Sequence, residues 1–210
     1  VNKLAVGVLA SGRGTNLQAI IDACKDGRIP AEVKVVVSDV EDAYALERAR
    51  KAGVSAVFLP PGQYKTKLEP EREREYVDCL KRHGVQLVLL AGFMRVLHEY
   101  FLSAFEGRLM NIHPSLLPSF PGLRAQQQAL DRGVKYAGCT VHFVDESVDG
   151  GPIILQAVVP VEQDDTVESL SERILREEHR IYCDAVRLFS EGRLRIEGKK
   201  VRILERREKA

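Results

Sequence analysis

Leu4-Ala5-Val6-Gly7-Val8-Leu9 is a nearly unbroken apolar run, too short for a helix and without polar alternation, the pattern of a parallel strand buried on both faces. Ser11-Gly12-Arg13-Gly14-Thr15 breaks it. Leu17, Ile20, Ile21 and Cys24 then recur at helical spacing from Asn16 until Gly27, and Val33 to Val37 reads as a second buried strand, completing a βαβ unit. The alternation continues with a helix over 43–52, a strand at Ala56-Val57-Phe58, a charged helix from about Glu71 to His83 and a strand at Leu87 to Leu90. A helix from Glu99 to Phe105 and a strand from Arg108 to His113 follow. Pro114, Pro118 and Pro121 exclude regular structure over 114–122. Beyond them the pattern predicts a helix over Ala125 to Asp131 and two strands, Thr140 to Val144 and Pro152 to Val159, joined by the loop that carries Asp149. An amphipathic helix then runs from Asp165 to Phe189, with Leu170, Ile174, Ile181, Val186 and Leu188 on its apolar face. The predicted fold class is α/β, a doubly wound, mostly parallel Rossmann-like sheet flanked by helices.

Charge and cysteine usage narrow the function classes. Thirty-one basic against thirty acidic side chains leave a net charge of +1, so no global field points to nucleic acid or an anionic membrane. Cys24, Cys79, Cys139 and Cys183 form no Cys-x-x-Cys pair, and the His residues show no ligand spacing; a metal site and a disulfide scaffold are both disfavoured. With no signal-peptide pattern at Val1 and no run of about 18 apolar residues, the reading is a soluble, unprocessed protein of the reducing cytoplasm. The chain carries no repeat or composition break that would demand a second domain, so residues 1–195 read as a single domain and 196–210 as a basic peripheral ribbon and tail.

Three residues carry candidate chemistry. Asn111 and His113, two apart on a strand, share one face at roughly 7 Å. Asp149 lies in the Asp149-Gly150-Gly151-Pro152 turn downstream. An amide that donates without titrating, an imidazole and a carboxylate to hold it suit acyl-group transfer; taken singly, an Asn or His at a strand end also serves as a turn former. Gly12-Arg13-Gly14-Thr15-Asn16 places backbone N–H groups at a helix start, a cradle for a phosphate. Leu17 occupies the place of a third glycine and no Gly-Lys-Ser/Thr follows, so a terminal phosphate fits better than a pyrophosphate. Asp39, just past the second strand, stands where a dehydrogenase holds a ribose, which keeps a nicotinamide reading open. His83, His98, His142 and His179 read as structural.

Together, Ser11 to Ile20, Leu90-Ala91-Gly92-Phe93-Met94-Arg95-Val96-Leu97, Asn111-Ile112-His113-Pro114-Ser115-Leu116-Leu117-Pro118 and Asp149-Gly150-Gly151-Pro152 resemble the phosphoribosylglycinamide formyltransferase family over about residues 1 to 195. The resemblance implies the formyltransferase fold and transfer of a formyl group from 10-formyltetrahydrofolate to the amine of glycinamide ribonucleotide, without a metal. It implies catalytic roles for Asn111, His113 and Asp149, and a phosphate site at Gly14, Thr15 and Asn16. Further acceptor contacts fall on Arg173, Arg176 and Glu178, residues that also suit a solvated helix face. The folate is expected against Met94, Arg95, Val96, Leu97 and Asn111 and the loop Asp145, Glu146, Ser147, Val148 and Asp149. Arg72 and Arg74 are the candidates for its tail. Some relatives have histidines where this chain has Arg124-Ala125-Gln126. The implied partners are the two small molecules only, with no nucleic acid or membrane, and the implied state is a monomer or weak homodimer. The rivals are a formyltetrahydrofolate hydrolase and an initiator-tRNA formyltransferase, whose additional domains have no room in this chain.

Overall fold

The computed structural model describes residues 3–205. The expected tail falls largely on residues 206–210, outside the described residues. In chain order the elements are β1 (Leu4–Leu9), α1 (Thr15–Lys25), β2 (Ala31–Ser38), α2 (Tyr44–Lys51), β3 (Ser55–Phe58), α3 (Pro70–Arg82), β4 (Leu87–Leu90) and α4 (Glu99–Ala104). There follow β5 (Leu109–His113), α5 (Ala125–Asp131), β6 (Tyr136–Phe143), β7 (Ile153–Pro160), α6 (Val167–Ser190), β8 (Leu194–Glu197) and β9 (Lys200–Ile203). They build one sheet of order β3-β2-β1-β4-β5-β6-β7-β9-β8. Its first five strands are parallel, and β6 and β7 continue it antiparallel. The doubly wound, mostly parallel sheet expected from the alternation is therefore what the chain adopts.

The pattern of each parallel strand explains its place. On β1, Val6 and Val8 turn toward the core shared with α1, α2, α5 and α6, while Leu9 packs in the opposite core beneath α3 and α4. A strand covered by helices on both faces has no polar side to show, which is why the run is continuous. The long helix α6 begins with a reciprocal cap: Ser169 N donates to Thr166 Oγ1 at 3.2 Å and Thr166 N to Ser169 Oγ at 3.0 Å. Most boundaries fall within a residue or two of expectation, and the largest difference is at β6. Strand β6 starts at Tyr136, earlier than Thr140, because Gly138 belongs inside it: a Cβ there would meet the Ala157 carbonyl oxygen of β7 at 1.9 Å. The glycine marks a close strand approach rather than a turn.

Register decides what meets at the sheet's carboxyl edge. Leu9 of β1 pairs with Leu90 of β4, and Leu90 with Asn111 of β5, so the loops leaving these three strands emerge side by side. The strand order reverses between β1 and β4, the crevice where open α/β sheets take their ligands. Across the antiparallel pair, Asn111 lies opposite His142 and His113 opposite Thr140, and Thr140 in turn opposite Gln156 of β7.

Candidate active site

The glycine loop leaves β1 and enters α1 through Gly14, whose φ is +71°. A Cβ at Gly14 would stand 2.9 Å from the Ala45 backbone of α2, so both the left-handed conformation and the packing require glycine. Behind it, buried Asn16 donates from Nδ2 to Glu178 Oε2 at 2.8 Å, which brings α6 to the loop. Among the described residues Asn16 Oδ1 is buried without a hydrogen-bond partner. Burial pushes the Glu178 carboxyl up from its ordinary range, opposed by the Asn16 hydrogen bond and by the charge of nearby His113. Glu178 is thus bonded to the glycine loop and feels the charge of the imidazole at the end of β5.

That imidazole faces oxygen on both sides. His113 Nε2 lies 2.9 Å from the Phe120 carbonyl oxygen, and Nδ1 lies 3.4 Å from Asp149 Oδ2. A neutral ring donates from one nitrogen only, so a doubly protonated ring is the form that satisfies both acceptors. Asp149 has φ +52°, unusual for a side-chain-bearing residue, and its Oδ2 also accepts from Gly122 N at 2.8 Å. The carboxylate therefore ties the 145–149 loop to the proline-rich segment.

His142 fixes the asparagine. Its Nδ1 meets the Phe143 carbonyl oxygen at 2.8 Å and must donate there, which leaves Nε2 as the acceptor in a neutral ring. Asn111 Nδ2 lies 3.3 Å from that Nε2, so one amide N–H is spent on His142 and the second is left for the cleft. Burial lowers the His142 pKa, favouring the neutral ring this arrangement needs. His142 belongs to the site through Asn111. The proline-rich segment is held from below: Thr140 Oγ1 donates to Ser115 O at 2.7 Å and accepts from Leu117 N at 3.1 Å, while Gln156 Nε2 donates to Leu117 O at 2.9 Å. These bonds set where the Phe120 carbonyl meets His113.

Of the donor-side candidates, Asn111 and Asp149 belong to this group, and most of the others are at the surface. Met94, Val96 and Val148 are exposed apolar side chains, whereas Leu97 is in the core. Asp145, Glu146 and Ser147 are exposed, with Ser147 N bonded to Asp145 Oδ1 at 2.9 Å. The Arg95 side chain turns inward to Asp39, and Asp39 is also bonded by Ser11. Asp39 is buried, with both carboxylate oxygens occupied, which leaves the nicotinamide reading without its ribose acceptor.

Of the three helix candidates, only Glu178 reaches the glycine loop by a hydrogen bond. Arg173 pairs with Asp165 through both terminal nitrogens at 2.7 and 2.9 Å and holds that carboxyl well below its ordinary range; Arg176 is exposed. Arg72 bonds Glu75 at 2.7 Å and Arg74 lies over the Tyr100 ring. Arg124 is exposed, at the start of α5 with φ +55°, and Gln126 is half-buried. Sequence reasoning passed over Ser11, Thr140 and Gln156 and read His142 as merely structural. A signal existed in the polar residues that directly follow, or interrupt, buried strands at neighbouring positions of one sheet.

Residues 4–186 match the family model described as formyl transferase. The phosphoribosylglycinamide formyltransferase of Escherichia coli (strain K12) is 45% identical over 189 residues, 90% of this chain and 88% of that protein. Among solved structures, glycinamide ribonucleotide transformylase 1 from Symbiobacterium toebii is 58% identical, with a TM-score of 0.93 over 97% of this chain and 95% of that one. A formyltetrahydrofolate deformylase from Pseudomonas syringae pv. tomato shares the fold at a TM-score of 0.89 with 26% identity, over 97% of this chain and 66% of that one.

Proposed function

The chain belongs to the formyl transferase family, and we propose that it transfers the formyl group of 10-formyltetrahydrofolate to the amine of glycinamide ribonucleotide in purine biosynthesis. The observation that carries this reading is Glu178, which joins the phosphate-type glycine loop through Asn16 and stands within electrostatic reach of His113. A site for a phosphorylated acceptor thereby adjoins a site for acyl chemistry. A hydrolase would need no such acceptor site.

The neutral amine attacks the formyl carbon, a C–N bond forms, and negative charge develops on the formyl oxygen. Collapse breaks the bond to N10 of the folate, and the proton lost by the amine is delivered to that nitrogen. We assign oxyanion stabilisation to the free N–H of the Asn111 amide and to protonated His113. The histidine gains access to the oxyanion by exchanging one of its two oxygen acceptors. Asp149, at the longer distance and beside an exposed loop, is the looser of the two and carries protons through water. Gly14, Thr15 and Asn16 hold the phosphate, helped by Arg176, and Glu178 orients the glycinamide end. Arg173 acts through Asp165, which it holds in place. The folate lies against the backbone of 94–97 and the Asp145 to Asp149 loop, with Met94, Val96 and Val148 covering its ring; Arg72 or Arg74 is the candidate for its tail.

10-Formyltetrahydrofolate is a co-substrate here, and the chemistry as assigned calls on no metal. Four free thiols fit the cytoplasm, and the near-neutral charge fits small-molecule partners rather than nucleic acid, with the protein acting as a monomer or weak homodimer. Among the described residues no helix is long and apolar enough to cross a membrane. The test is folate product formation from 10-formyltetrahydrofolate with and without glycinamide ribonucleotide, assaying formate in parallel. Tetrahydrofolate that appears only with acceptor, and without formate, is expected; formate released equally in both mixtures would make the protein a hydrolase.

A further inference from the structure

Asp39 has no place in the chemistry above, yet both of its carboxylate oxygens are engaged. Its side chain is 1% exposed, beside an Arg95 side chain at 17%. Oδ1 accepts from Ser11 Oγ at 2.5 Å and Oδ2 from Arg95 Nε at 2.6 Å. Ser11 directly precedes the glycine loop, and its hydroxyl oxygen accepts from Met94 N at 2.9 Å, in the segment assigned to the folate. Arg95 continues outward, donating from Nη1 to the carbonyl oxygens of Tyr64 and Lys65 at 2.8 and 2.5 Å.

We infer that Asp39 is a positioning residue that couples the two substrate sites, one carboxylate oxygen setting the start of the phosphate loop and the other setting the donor-side segment through Arg95. The inference rests on the function proposed above. The physical argument is the direction of the hydrogen bonds. Because the Ser11 hydroxyl must give its proton to the carboxylate, its lone pairs are free for the Met94 N–H, so the hydroxyl cannot turn away without breaking both contacts. Arg95 cannot move outward without leaving a buried carboxylate short of its cation, a costly state. A ligand that orders either loop therefore biases the other, and binding free energies linked in this way are reciprocal. The backbone bond from Ser11 N to Gly92 O, at 3.1 Å, keeps the loops adjacent but carries no side-chain orientation.

A buried ion pair that only stabilised the fold would leave ligand linkage untouched, so linkage is the readout. Tetrahydrofolate binding is measured by calorimetry with and without saturating glycinamide ribonucleotide, a mixture that lacks a formyl group and does not turn over. In the wild type the acceptor is expected to change the folate dissociation constant about fivefold or more, within the range usual for coupled sites. Ser11→Ala keeps the Arg95–Asp39 pair and its Tm near that of the wild type, and is expected to reduce the factor to less than about twofold. Asp39→Asn, which cannot accept from both donors, does the same. Ser11→Thr, retaining the hydroxyl, restores the coupling. A wild-type factor of one, or a Ser11→Ala protein that keeps the wild-type factor, overturns the relay while the acceptor-dependent assay still reports transfer. Absence of transfer by the wild type would instead remove the function on which the inference rests.

Discussion

The two halves of the proposed cleft, one assigned to the acceptor and one to the folate, are built differently. On the acceptor side, Asn16 and Glu178 are 9% and 8% exposed, carried by α1 and α6 and hydrogen-bonded to each other. On the donor side, Met94 at 58% and Val148 at 68% exposure project from loops. A small, charged, hydroxylated acceptor is recognised by directional bonds, which need donors and acceptors fixed on rigid elements. A flat ring system gains mainly from covering apolar surface, which exposed side chains on adjustable loops supply. On the proposed assignment, the first half is prepared before the ligand arrives and the second would be completed by it. Under the proposed function the chemistry falls where the halves meet, at Asn111 and His113 on β5.

The largest effect is expected at that junction, independent of both halves. Asn111→Ala removes an oxyanion donor worth about 3 kcal/mol and should lower kcat by a factor of roughly 100 with little change in either KM. Steady-state kinetics decide it, and near-normal turnover would take Asn111 out of the mechanism.

Glu178→Gln probes the prepared half. It is expected to raise the acceptor KM by about tenfold, as for a hydrogen bond to a charged group, and to leave the donor KM unchanged. Stability moves the other way, and pH gives its sign. The folded-state pKa of Glu178 is raised above the ordinary 4.5, so the unfolded chain releases this proton first. The wild type therefore loses stability relative to the Gln variant as pH rises above about 4.5 and through the folded pKa. Thermal melts from pH 4 to 8 should find the variant the more stable at the upper end. A parallel pair of curves would mean that Glu178 is not held in an unfavourable ionised state, and the preparation argument would fail with it.

The smallest effect belongs to the ligand-completed half. Val148→Ser removes apolar cover from one exposed side chain, on the order of 1 kcal/mol, and should raise the donor KM about fivefold without altering the acceptor KM or the Tm. A change in acceptor KM instead would break the division between the halves.

The division also explains what could be read in advance. Strands β1 and β4 were legible because burial on both faces forces continuous apolar runs, and the loop motifs were legible because several of them occur together in one order along the chain. Arg173, Arg95 and His142 were harder. Arg173 is bound to Asp165, eight residues earlier, where spacing on one helix pointed elsewhere. Arg95 stands in the donor-side segment by sequence, yet its guanidinium is spent on Asp39, 56 residues away. His142 gained a place in the site only because antiparallel register sets it opposite Asn111.

By itself, the sequence determined the alternation of elements, the parallel half of the sheet and the residue types available for acyl chemistry, because burial periodicity and backbone conformational limits act locally along the chain. Tertiary structure decided which of those residues meet. Strand order brings the ends of β1, β4 and β5 together, α6 delivers Glu178 to Asn16 across 162 positions, and the ring tautomer of His142 follows from the carbonyl beside it. A polar side chain's role depends on its partner, and for these residues the partner is set by register and packing rather than by neighbours in sequence.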